Sequence, residues 1–102
     1  MRDQTGDKLM NERESAEVFA LQVLGWMASD AEMIGAFLAS SGLAQGEIAG
    51  RARDPVFLGA VVDFCLESDD RVLACAAALG VRPEAVGQAR RALPGGADPH
   101  WT

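Results

Sequence analysis

An all-α fold is predicted for this 102-residue chain: a compact orthogonal bundle of six helices built from two similar three-helix halves. Three observations predict it. Apolar residues recur at helical spacing along nearly all of residues 14–93. Helix start and stop signals punctuate that stretch, the sharpest being Asp54-Pro55, with Gly42 and Gly80 as stops. Apolar residues make up 49% of the chain, with an excess of Ala, Leu, Val, Phe and Met, and Ala and Leu are strong helix formers. That content argues against disorder, and the length suits one domain whose core needs no disulfide or metal.

Residues 1–13 are polar and mixed in charge and are expected to form a flexible arm. The first helix then runs from about Ser15 to Ala28, or from nearer Asn11, because Asn11 and Glu14 have capping-box spacing. Its apolar arc includes Phe19, Ala20, Val23, Leu24, Trp26 and Met27. A second capping box, Ser29 to Glu32, opens the next helix, which presents Met33, Ile34, Phe37 and Leu38 inward and stops at Gly42. A short third helix over Gln45–Ala52 is weakened by Gly46 and Gly50.

Asp54 can cap the fourth helix, and Pro55 fits its first turn, where a missing N–H costs nothing. This helix reaches about Leu66 and is apolar except for a thin strip, Gly59–Asp63–Glu67, as expected of a helix buried between others. Ser68 caps the fifth helix, Asp69–Leu79, whose two opening acids suit the helix dipole. The sixth starts at Pro83 and ends near Leu93. Pro94-Gly95-Gly96 then begins a tail over residues 94–102.

The halves, residues 14–53 and 54–93, look alike. Val18-Phe19, Trp26, Gly42-Leu43 and Ile48 match Val56-Phe57, Phe64, Gly80-Val81 and Val86 at a spacing of 38. Ser29-Asp30 and Met33-Ile34 match Ser68-Asp69 and Val72-Leu73 at 39. Two units are too few for an open solenoid, so a pseudo-twofold bundle is expected, centred on the first and fourth helices.

Several functional classes lose support at once. A net charge of −6 disfavours nucleic-acid binding over the whole surface. No signal peptide is read at the start, where Asp3 and Asp7 interrupt any apolar run, and no membrane span is found, so a cytoplasmic protein is expected. Cys65 and Cys75 have no metal-ligand spacing and read as small buried hydrophobes. The one histidine, His100, sits in the tail beside Trp101, so no Ser or Cys has a well-placed imidazole base. Asp63 stands in the middle of an apolar helix and is read as part of an exposed strip with Glu67 rather than as a buried acid. Asp69 and Asp70 are adjacent and do not face one another. No enzyme, cofactor or metal is expected.

Two binding readings remain. The leading one is a non-enzymatic domain that binds another protein or a second copy of itself. Here Trp26 and Met27 would help if exposed, but both read as core. The alternative is DNA recognition by a helix-turn-helix-like segment at 74–93. There are no bases and four acids from Asp63 to Asp70, but four bases against one acid from Arg71 to Leu93. The last helix would offer Arg82, Gln88 and Arg91 outward, with Arg90 near a phosphate, and Arg and Gln are suitable base readers. Against it stand Glu84 at the start of that helix and the partial recurrence of the same apolar pattern around Gly42 in the first half.

Residues 14–95 also resemble a family of small proteobacterial proteins, mainly alphaproteobacterial, of unknown function. The resemblance rests on Ala20-Leu21-Gln22, on Asp54-Pro55-Val56-Phe57-Leu58 running into Val62-Asp63-Phe64, and on Gly80-Val81-Arg82-Pro83-Glu84-Ala85-Val86 through Ala89-Arg90 to Leu93-Pro94-Gly95. It implies an all-helical fold and carries no activity, cofactor or site with it.

Overall fold

A computed structural model describes residues 4–94, with side chains over 12–94; the rest of the expected tail, including His100 and Trp101, lies outside that range. Among the described residues there are six α-helices and no strand: α1 (Gln4–Ala28), α2 (Ala31–Ser41), α3 (Ile48–Arg51), α4 (Pro55–Leu66), α5 (Asp69–Leu79) and α6 (Pro83–Ala92). A 3-10 turn, Gln45–Glu47, leads into α3. The bundle predicted from the sequence is therefore present.

Two helix starts differ from expectation. The first helix begins at Gln4, well inside the expected arm 1–13. Residues 4–14 contain no proline, and once a helix is nucleated on its packed half each further residue adds one hydrogen bond without a new nucleus. The cap of α2 is Asp30, not Ser29. The Asp30 carboxylate accepts from the N–H groups of Glu32 at 3.0 Å and Met33 at 3.1 Å, while the Ser29 hydroxyl donates back to the Trp26 carbonyl. A carboxylate at a helix start gains from the dipole as well as the hydrogen bonds, which a hydroxyl does not match.

The other signals act as read. Asp54 accepts from Val56 N–H at 2.9 Å ahead of Pro55, and Ser68 accepts from Arg71 N–H. Gly42 (φ +76°) and Gly80 (φ +70°) close α2 and α5 in the left-handed conformation that a side chain strains.

From the end of the first helix to the start of the third segment, the two halves keep one spacing. Ala28 and Leu66 end α1 and α4; Asp30 and Ser68 cap α2 and α5; Ser41 and Leu79 end them; Gln45 and Pro83 open the third segments. Every one of these pairs is 38 apart, so the spacing of 39 read around Ser29 and Met33 is corrected. Burial agrees, since Ile34 is buried and its partner at 38 is the half-buried Val72, whereas Leu73 is 56% exposed.

Helix α1 packs against α2, α4, α5 and α6, and α4 against α1, α5 and α6. Ala16, Ala20, Val23, Leu24 and Met27 of α1 meet Phe57, Leu58, Val61, Val62, Phe64 and Cys65 of α4 in one buried cluster. Phe37 reaches from α2 onto α4. Its ring stands edge-on to Phe57 (5.9 Å between centroids) and to Phe64 (5.5 Å). Each edge-to-face pair contributes about 0.5–1.5 kcal/mol beyond the area it buries. We expect Phe37→Ala to lower unfolding free energy by about 3–5 kcal/mol in a urea titration. A loss below about 1 kcal/mol would mean that this ring is not the contact joining the halves.

Candidate functional site

Two surfaces are candidates for a binding site: the α5–α6 corner that the sequence marks, and a flank of α1 whose Trp26 the sequence places in the core.

At the corner, the N–H groups of Gly80 and Val81 both reach the Ala76 carbonyl, so the chain turns tightly between α5 and α6. Cys75, Ala76 and Val86 are buried where the two helices meet, with Leu79, Val81 and Ala89 half-buried beside them. Arg82, Gln88 and Arg91 are exposed on α6, as expected. Arg82 lies 3.9 Å from Glu84, both side chains largely in solvent, a contact of little energetic weight.

Arg90 is not outward-facing, and its assignment to a phosphate is corrected. It is 8% exposed. Its Nε donates to Asp63 Oδ1 at 2.6 Å, and its Nη1 donates to the carbonyls of Leu93 and Pro94 at 3.4 and 3.2 Å. The guanidinium lies against Gly59, where an added Cβ would stand 2.9 Å from Nη1. The signal was present in the sequence, because Arg90 follows Val86 by four and precedes Leu93 by three, on the apolar stripe of α6. Gly59 and Asp63, one turn apart on α4, form the notch that receives it.

The rest of the α4 strip is used in the same way. Arg71 Nη1 donates to the Phe64 carbonyl at 2.9 Å and lies 3.4 Å from Glu67, while its guanidinium carbon stacks 3.9 Å over the Phe64 ring. The strip Gly59–Asp63–Glu67 is thus an arginine-docking face. The Asp63 side chain is 52% exposed, which agrees with the exposed-strip reading, although its ion pair was not foreseen.

Cys65 and Cys75 are fully buried free thiols. Hydrogen bonding to Cys75, followed by burial, pushes the Cys65 thiol well above its ordinary range and favours its protonated form. Among the described residues no group of His, Cys, Asp and Glu could hold a metal ion, and no helix is long and apolar enough to cross a membrane.

The α1 flank differs from expectation. Met27 is fully buried, but Trp26 is only half-buried, as is Phe19, and Val18 is 55% exposed. Beside them is a hollow of about 390 Å³ lined by Glu14, Ser15, Val18, Phe19 and Gln22. All of its lining among the described residues comes from one helix, so it resembles one side of a groove more than an enclosing pocket. At the matching positions of α4, 38 further on, Phe57 and Phe64 are buried. Two further pairs show the same bias: Leu38 and Ile48 are half-buried, whereas Ala76 and Val86 are buried. Ile34 and Val72 run the other way, and exposed large apolar side chains occur in both halves: Val18 and Leu21 in the first, Val56, Leu66 and Leu73 in the second.

The fold and these surfaces place the chain in a class of small all-helical domains with no visible catalytic constellation among the described residues. It belongs to the family described as Protein of unknown function (DUF3572), whose profile matches residues 13–96. No curated protein and no solved structure matches it.

The Arg90 pair generates a test. Asp63→Ala leaves a buried guanidinium without its carboxylate and should cost about 1–2 kcal/mol in urea unfolding, less than for a fully buried pair because Asp63 meets solvent. Arg90→Met replaces the cation with an apolar side chain of similar length and should cost less. The reverse order would remove the notch from the account of how α6 is held.

Proposed function

We propose that this is a non-enzymatic, cytoplasmic interaction domain that binds another protein along the exposed flank of α1. The observation that carries the reading is the exposed Val18 beside the half-buried pair Phe19 and Trp26, on a helix whose counterpart keeps the same aromatic positions buried. Aromatic side chains beside a hollow, on a helix flank with no opposing wall among the described residues, suit helix-in-groove recognition and the anchoring role of Trp at interfaces. We also read the two halves as copies of one ancestral unit, a reading supported by the spacing of 38 shared from the ends of α1 and α4 to the starts of the third segments. On that reading the second copy has filled its third-helix position with α6, and the first has kept a weaker segment there.

A photocrosslinking amino acid at Gln22, in the native host, tests the interaction reading against the same probe at Ala60, the matching exposed position on α4. One defined adduct is expected at 22 and none at 60, and Val18→Asp should remove it. Equal labelling at both positions, or an adduct that survives Val18→Asp, would count against the flank.

DNA recognition is retained as a second reading because Arg82, Gln88 and Arg91 are exposed together on α6. With Arg90 engaged by Asp63 and Glu84 beside Arg82, we expect no binding of mixed-sequence duplex at low salt, where phosphate contacts are strongest. A salt-sensitive complex abolished by Arg91→Glu would reverse the order of the two readings.

A further inference from the structure

We infer that the partner of the α1 flank is a basic amphipathic helix; this rests on reading that flank as a protein-binding surface. From Glu14 to Gly50 the chain carries Glu14, Glu17, Asp30, Glu32 and Glu47 and no Lys, Arg or His. The whole of the packed part of α1, all of α2 and the start of α3 lie in this base-free stretch. Arg13, just before it, sits 3.3 Å from Glu17. Glu14 lines the hollow itself. Such a field attracts a cationic segment over a Debye length and repels nucleic acid and anionic lipid.

The shape argument is independent of the charge. Phe19 and Trp26 are seven residues apart on one flank, two helical turns, and Val18 and Gln22 lie on the same side. This is the repeat over which an amphipathic helix presents its i, i+3 or i+4, and i+7 anchors. The bundle already uses one such helix. In the second half, α6 docks its apolar stripe against both α1 and α4, with the Arg90 cation in the Gly59–Asp63 notch. On the α1 flank, Gly25 stands seven residues after Val18, on the same side, and leaves open space. An incoming helix therefore meets apolar surface at Val18, room at Gly25 and an acid at the Glu14 end. A second copy of this chain fits less well, because its own basic amphipathic helix is committed to its own core.

The experiment uses the full chain carrying Trp101→Phe, so that Trp26 is the only tryptophan. Two designed amphipathic peptides serve as probes, alike in their leucine positions and carrying either Lys or Glu on the polar face. The Lys peptide should shift Trp26 emission to shorter wavelength and bind about tenfold or more tightly than the Glu peptide at low salt, with the gap narrowing as salt rises. Val18→Asp should weaken the Lys peptide about tenfold even though it adds negative charge, and Val56→Asp, at the matching exposed site on α4, should not. Unchanged helical circular dichroism in both variants shows that the fold is kept. Equal binding of the two peptides, no response of Trp26 to either, or Lys-peptide binding that survives Val18→Asp overturns the inference. A Glu peptide that binds and is lost with Val18→Asp overturns it while leaving the flank as a protein-binding surface. A homodimer in sedimentation equilibrium that Val18→Asp dissociates assigns the flank to a second copy and overturns it too.

Discussion

The position of Phe37 sets the balance of this structure. It is the one ring that α2 drives onto α4, and it closes over Phe57 and Phe64 from their edges. At the matching position on α5 stands Cys75, which is fully buried but has no ring to extend over Phe19 and Trp26. Helix α5 does pack on α1, yet a thiol covers far less surface than a phenyl group. Corresponding positions thus differ in aromatic cover, with Phe57 and Phe64 buried on α4 and Phe19 and Trp26 half-buried on α1.

A second constraint keeps the buried half intact. Helix α4 is too apolar to lie at a surface, and its few polar positions face two arginines. Gly59 and Asp63 receive Arg90 from α6, and Glu67 with the Phe64 carbonyl receives Arg71 from α5. Arg90 also satisfies carbonyls at the end of its own helix, so one side chain ties α6 to α4 and closes the α6 terminus. Among the described residues no buried side-chain nitrogen or oxygen lacks a partner. These charges stabilise packing through satisfied hydrogen bonds.

Much of this was legible in the sequence because helix ends are chemically marked. Asp54-Pro55, Ser68, Gly42 and Gly80 act through short-range hydrogen bonds and φ preferences that depend on the residue alone, and each works as read. The 3.6-residue rhythm likewise located α4 and its core face. Two things could not be read in this way. The periodicity of α6 marked position 90 as inward, but an arginine there was taken for a surface charge, because its partner lies 27 residues earlier and contact between distant segments leaves no local mark. Trp26 was assigned to the core because its own helix places it near the inward arc. Its half-burial is decided by packing between segments distant in sequence, which leaves no local mark.

The same asymmetry bears on function. A longer third segment in the first half could bury more, as α6 does at position 86. The half-buried aromatic flank coincides with the stretch that has no positive charge, Glu14 to Gly50, while four of the chain's eight arginines lie in the second half. Apolar surface alone is common on folded proteins and indicates little. Apolar surface within a stretch that carries acids and no bases differs in kind, since the proposed partner would gain area from Phe19, Trp26 and Val18 and orientation from Glu14. The arginines of α5 and α6, by contrast, are divided between holding the bundle together and lying in solvent near acids, which leaves them a weaker basis for recognising a phosphate backbone than their number suggests.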